Sequence, residues 1–264
     1  MTMPSPVRAA EAEQDYRIEP SAMPVPQPNL SSPTPRPRQE WLDRSVLSAM
    51  LGEGVEVEIA KPALVLRGLY PEERRYIARA IDKRKAEFAA ARICARRALA
   101  RLDVPPCTLV PWPDRSPSWP KGVVGSIAHT TGCCIVAVTN APQIAGIGLD
   151  IELDTPLDAD LERMICTDRE RKWLQCAKPS ERGFLGKLCF SAKEAFYKCQ
   201  YGTTRTFLDF RDVEIEFDLE RECFTIVVLA RQGPDWDFVS HTEGRFRRAA
   251  GFIVTSVTLA ADRA

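Results

Sequence analysis

Gly146-Ile147-Gly148-Leu149-Asp150-Ile151-Glu152 alternates residue by residue. On a strand, neighbouring side chains leave opposite faces, so Asp150 and Glu152 share one face while Leu149 and Ile151 pack on the other. Two carboxylates converging on one spot repel each other unless a cation lies between them. Magnesium prefers about six oxygens and usually takes one or two carboxylates, completing its shell with water and substrate phosphates. The plainer alternative is an exposed strand end carrying two solvated acids. Working outward, strands are expected at Val123–Ile127 and Cys134–Thr139, then at Val213–Phe217, Phe224–Leu229 and Phe252–Leu259. Earlier, the alternation of Val55, Val57 and Ile59 and the run Ala63-Leu64-Val65-Leu66 read as two more.

Helices separate these strands. Pro71 suits a first helical position, and one long helix is expected from there to about Leu102, stopping before Pro105-Pro106. Ile77, Ile81, Phe88, Ala95 and Leu99 recur along it at helical spacing. Thr167-Asp168-Arg169-Glu170 has the capping-box pattern of a helix start, and a further helix is expected from Ser191. Strands of antiparallel type mixed with one or two helices in each half make an α+β protein.

The 264 residues suffice for one large domain or two small ones. Lys+Arg and Asp+Glu are both 36, so global charge points to no nucleic-acid and no membrane partner. Nine cysteines without a CxxC pair, and only two histidines, are a poor zinc inventory. Adjacent Cys133 and Cys134 point to opposite faces of a strand, and reduced thiols in a cytoplasmic protein are the expectation. No apolar run approaches the roughly 18 residues of a membrane span. Residues 1–40 are proline-rich and expected to be a disordered tail; 41–143 and 144–264 are expected to form an N-terminal and a C-terminal half.

Three further constellations carry chemistry. Arg84 and Arg92 are eight positions apart on the first helix, about 12 Å along its axis and on neighbouring faces. They suit an extended ligand with two anionic groups, although charge runs are usually solvated helix surface. Gly125-Ser126-Ile127-Ala128-His129 ends a strand in small residues and presents a histidine able to donate to a phosphate; a packed or surface histidine is the alternative. Phe190-Ser191-Ala192-Lys193-Glu194-Ala195-Phe196-Tyr197-Lys198 also reads without function, with Ser191 and Glu194 as a capping box and Glu194 and Lys198 as an i,i+4 pair.

In this order, GSxxH, GxGxDxE and (W/F)SxKEAxxK form the three-part signature of the 4′-phosphopantetheinyl transferases. The chain resembles their surfactin- and enterobactin-synthetase-associated class, and looks closest to the enterobactin-like branch. That branch has an upstream RxxEFxxxRxxAR-type helix, to which Arg84-Lys85-Ala86-Glu87-Phe88 and Arg92-Ile93-Cys94-Ala95-Arg96 are similar, and a Trp-Pro pair like Trp119-Pro120. The resemblance runs from roughly Arg67 to Phe210.

The resemblance implies two similar α+β halves with the active site between them, and a monomer, since this chain has length for both halves. The implied reaction is magnesium-dependent. It moves phosphopantetheine from coenzyme A to a serine of an apo carrier protein of polyketide, nonribosomal peptide or siderophore synthesis, releasing 3′,5′-ADP. Asp150, Glu152 and Glu194 would hold the magnesium, with Glu194 also the base. Lys198, Lys193 and His129 would contact phosphate; Arg84, Arg92 and Arg115 would hold the nucleotide end. Leu157 to about Arg182 covers the carrier-docking region. Ala128 stands where the family usually has serine or threonine. Two rival readings are a magnesium-dependent nucleotide hydrolase, for which no phosphate-binding glycine loop is present, and a non-enzymatic coenzyme A or carrier-binding module, against which the intact Asp150, Glu152, Glu194 and Lys198 speak.

Overall fold

The computed structural model describes residues 42–230, 236–239 and 242–261; the expected tail at 1–40 lies outside the described residues. Asp43 opens α1 (Arg44–Leu51) by accepting hydrogen bonds from the backbone of Ser45 and Val46, and Gly52 ends the helix at a φ of 87°. The strands β1 (Glu56–Ala60), β2 (Val124–Thr130) and β3 (Cys133–Thr139) form an antiparallel sheet in the order β1-β3-β2. All of β3 is buried, as a strand covered on both faces must be. Cys134, Val136 and Val138 pack under the helix α3 (Asp82–Arg101). Cys133, Ile135 and Ala137 face the other way, into a core with Leu47 of α1 and with Ile147, Leu149 and Ile151 of β4 (Ile144–Leu153). Alternation thus separates the two adjacent cysteines, and all nine cysteines are unpaired.

β4 belongs to a second, five-stranded antiparallel sheet, ordered β4-β8-β7-β6-β5, with β5 (Val213–Asp218), β6 (Cys223–Val228), β7 (Glu243–Ala249) and β8 (Phe252–Ala260). The helix α6 (Pro179–Thr204) lies on this sheet, packing Leu188, Ala192 and Phe196 against Val213, Phe224, Ile253 and Val257. The short helices α4 (Ala159–Ile165) and α5 (Asp168–Cys176) close a further core with Leu185 and Cys189 of α6. Thr167 caps α5 with the reciprocal Glu170 bond that its spacing predicts. The result is the expected α+β class, with two sheets and six α-helices among the described residues.

Four local expectations are corrected. The helix from Pro71 is two helices, α2 (Pro71–Ile77) and α3, separated by a turn in which the Ala80 amide bonds the Ile77 carbonyl. Ile81 therefore caps α3 in an extended conformation and is 73% exposed, outside the apolar stripe. Ala63–Leu66 is not a strand: Leu64 and Val65 are exposed and no strand pairs with them. Ser191 does not begin a helix. It sits inside α6, buried, with its hydroxyl on that of Thr255 at 2.9 Å, and the helix opens at Pro179. Finally, β7 was not expected, because Glu243-Gly244-Arg245-Phe246-Arg247-Arg248-Ala249 is mostly polar; its pairing on both sides, to β6 and β8, makes it a strand.

Candidate active site

The site begins with glycine. Gly146, Gly148, Asp150 and Glu152 share the face of β4 opposite Ile147, Leu149 and Ile151. At Gly148 a Cβ would lie 1.8 Å from the carbonyl oxygen of Ala195, and at Gly146 2.8 Å from that of Cys199. Only glycine lets α6 approach β4 this closely. The approach sets Asp150 against α6, where its Oδ1 accepts a 2.6 Å hydrogen bond from Lys198 Nζ. Glu194 Oε2 is 3.7 Å from the same ammonium, and Glu152 Oε2 is 3.6 Å from Lys187 Nζ. A 3.0 Å bond from the Leu149 amide to Ser126 Oγ fastens β2 alongside.

Asp150 does not end an exposed strand: it is 5% exposed, and its Oδ2 is buried without a hydrogen-bond partner. Burial pushes the Glu152 and Glu194 carboxyls above their ordinary range, and the neighbouring Asp150 charge adds to both shifts. Burial acts against the Lys198 ammonium, but the attraction of Asp150 and then Glu194 outweighs it, so its pKa is raised. Among the described residues no three histidine, cysteine or carboxylate side chains are gathered into a metal cage. Asp150, Glu152 and Glu194 surround cations of α6 instead. The Oδ2 of Asp150, buried and without a donor, is nevertheless an oxygen of the kind a hard divalent cation takes.

The facing wall comes from α3 and β2. Arg84 Nη1 is 2.9 Å from His129 Nε2, and Glu87 Oε2 is 3.7 Å from both Arg84 and His129 Nδ1. A guanidinium only donates, so Nε2 accepts and the ring is neutral with its proton on Nδ1. Burial lowers the His129 pKa; Glu87 opposes this, while Arg84 and Lys198 push it further down. Arg92 is 5% exposed, donates Nε–H to the Leu109 carbonyl at 2.6 Å and lies over the Phe88 ring. Burial drives its pKa down to about 10. Glu73, wholly buried, orders this wall by accepting from Arg96 and from the Leu109 amide.

Between the walls lies a cleft of about 570 Å³ lined by Arg84, Arg92, Arg115, His129, Glu194 and Lys198. These are six of the residues expected at the site, and Asp150 joins them through Lys198. Lys193 does not. Its ammonium is buried and donates to the Ile165 carbonyl at 2.9 Å, Glu170 Oε2 at 2.7 Å and the Phe210 carbonyl at 2.8 Å, so its three N–H groups are used. The expected phosphate contact is replaced by a cross-link between α4, α5 and α6. Ala128 is also buried in the core on the β4 side. The cleft further includes Glu87, Trp112, Asp114, Tyr197, Tyr201 and Arg205, which sequence reasoning did not single out. Glu194, Tyr197, Tyr201 and Arg205 follow one another at three- and four-residue steps, the helical period that would have found them.

Residues 72–139 match the 4′-phosphopantetheinyl transferase N-terminal domain, and residues 146–255 match the 4′-phosphopantetheinyl transferase superfamily. The chain is 39% identical over 196 residues to the 4′-phosphopantetheinyl transferase Svp of Streptomyces mobaraensis, covering 73% of this chain and 79% of that protein. It is 32% identical to the 4′-phosphopantetheinyl transferase Npt of Nocardia iowensis, over 72% of this chain and 89% of the relative. Over a shorter stretch, 44% of this chain and 48% of the relative, it is 34% identical to enterobactin synthase component D of Salmonella typhi.

Proposed function

Because the chain belongs to the 4′-phosphopantetheinyl transferase superfamily, and so acts on coenzyme A and carrier proteins, we propose that the cleft between α3 and α6 holds coenzyme A and that magnesium assists the transfer. The observation that carries this reading is the buried, unpartnered Oδ2 of Asp150 beside Lys198, which itself lines a cleft rich in cations. Asp150, Glu152 and Glu194 would hold the magnesium, which would supply neutralising charge to the pyrophosphate. Arg84, Arg92 and Arg115 take the nucleotide end, and Lys198 and His129 the phosphates nearer the reacting bond.

The chemistry asks for positioning and charge neutralisation more than for covalent work. The carrier serine oxygen bonds the β-phosphorus of coenzyme A as the bond from that phosphorus to the bridging oxygen breaks. The leaving group is 3′,5′-ADP. Glu194 takes the serine proton, a role to which a carboxyl raised by burial is better suited than a solvated one. Lys198, held on Asp150, is poised to offset charge on the leaving oxygen, and the neutral His129 donates through Nδ1. One chain supplies both walls of the cleft, and a cytoplasmic monomer is the form we expect to be active. No helix among the described residues is long and apolar enough to cross a membrane.

The test incubates the protein with coenzyme A, magnesium and a panel of apo acyl, aryl and peptidyl carriers, and weighs each carrier. Gain of one phosphopantetheinyl group, lost on chelating magnesium and in Asp150→Ala, is expected. Transfer at the wild-type rate by soluble Asp150→Ala would remove the magnesium assignment.

A further inference from the structure

The segment Trp112-Pro113-Asp114-Arg115-Ser116-Pro117 crosses the rim of the cleft as a tight loop. The Arg115 amide bonds the Trp112 carbonyl at 2.8 Å, and the Trp112 amide bonds the Ser116 carbonyl at 2.9 Å. Arg115 sits at the turn with a φ of 69°, a backbone region that a non-glycine residue keeps only where its surroundings hold it there. Those surroundings centre on Asp114. Its Oδ1 accepts from the Ser116 amide at 2.9 Å and the Ser116 hydroxyl at 2.6 Å, fixing the turn from within. Its Oδ2 accepts from the Tyr201 hydroxyl at 3.1 Å and from Arg205 Nη1 at 3.4 Å, and Arg205 also reaches Ser116 Oγ at 3.3 Å. Arg205 is itself in the left-handed region, at φ 54°, where it ends α6. Tyr201 is held by the stacked ring of Tyr197 at 5.4 Å.

One carboxylate therefore ties a proline-stiffened loop to the far end of the helix that carries Glu194 and Lys198. Paired with Arg205, it also cancels a cationic charge at a rim where an anionic ligand would favour every cation left free. A carboxylate there works against direct anion binding and must be accounted for otherwise.

We propose that Asp114 is a positioning residue: clamped by Tyr201 and Arg205, it holds the Arg115 turn on the cleft so that Arg115 meets the nucleotide end of coenzyme A preorganised. The inference rests on the placement of coenzyme A in this cleft. Tyr201 and Arg205 then act through Asp114, and the loop from before β2 and the end of α6 move as one piece.

A double-mutant cycle on the whole enzyme tests this. Tyr201→Phe keeps the stacked ring and removes one hydroxyl; Asp114→Asn keeps the shape and removes the charge. Each is expected to raise the KM for coenzyme A by about 3- to 10-fold, the scale of one ordinary hydrogen bond once solvent has weakened the charge, with kcat and the KM for the carrier unchanged. Arg115→Ala raises the same KM, and Tyr201→Phe added to it has little further effect, because both act through one contact. Multiplicative effects would mean that Tyr201 touches the ligand itself, and would overturn the proposal. So would a lowered unfolding midpoint with an unmoved KM, which would make the clamp structural only. If Arg115→Ala alone leaves the KM unchanged, the placement of the nucleotide end fails, and the clamp with it; if Arg115→Ala raises the KM and Tyr201→Phe and Asp114→Asn do not, the clamp alone fails.

Discussion

Lys193→Met separates two roles that the motif around Glu194 leaves open. The wild-type ammonium and the Glu170 carboxylate are each about 2% exposed in their side chains and 2.7 Å apart. Methionine fills much of the same volume but removes three donated hydrogen bonds, stranding the carbonyls of Ile165 and Phe210 and leaving Glu170 without its cation. Removing one partner of a buried ion pair costs about 3–5 kcal/mol, because the remaining charge stays buried. Glu170 keeps hydrogen bonds from the Thr167 and Ile215 amides, which argues for the lower end. A loss of about 3 kcal/mol is a large share of the roughly 5–15 kcal/mol of a whole domain, and would lower the melting midpoint by about 6–12 °C.

The assay pairs urea unfolding of Lys193→Met with the KM for coenzyme A measured well below the melting midpoint. We expect the stability loss, and a KM for coenzyme A within about 2-fold of wild type. Adding Glu170→Gln recovers part of the loss, since the stranded charge is gone. The opposite pattern, stability within about 0.5 kcal/mol of wild type and a KM raised about 10-fold or more, would refute the cross-link and return Lys193 to the phosphates.

Glu194→Gln removes a charge and a proton acceptor from the cleft, and single-turnover transfer to a saturating apo carrier should fall by about 100-fold or more with an unchanged melting curve. Gly148→Ala forces a Cβ to 1.8 Å from the Ala195 carbonyl and should cost about 3 kcal/mol or more by urea unfolding, or fail to yield soluble protein. The His129 pKa is depressed from 6.5, so between the folded value and 6.5 the unfolded chain binds a proton that the native ring refuses. Native stability contributed by this residue therefore falls as pH drops through that window and levels off below it; His129→Gln should lose less stability than wild type between about pH 7.5 and pH 5.

How much of this was legible in the sequence depended on whether the deciding contact was local. The faces of β4 follow from an alternation within seven residues, and so does the separation of Cys133 from Cys134. The Thr167–Glu170 cap spans three residues and forms as its spacing predicts. Ser191–Glu194 has the same spacing and does not form, because a helix already running from Pro179 buries Ser191 against Thr255, 64 residues away. Local chemistry was the same in both places; the neighbours were not. The two lysines of the motif show the limit most clearly. Lys193 and Lys198 are five residues apart on one helix and carry the same group, yet one faces α4 and α5 and the other faces β4. Five residues turn a helix by about 140°, so the two cannot share a wall. Which of them meets Asp150 is settled by the two glycines that draw α6 onto β4, and Glu170, 23 residues before Lys193, then claims the other. A phosphate ligand needs an ammonium on the cleft side, and of these two lysines the packing of α6 puts Lys198 there.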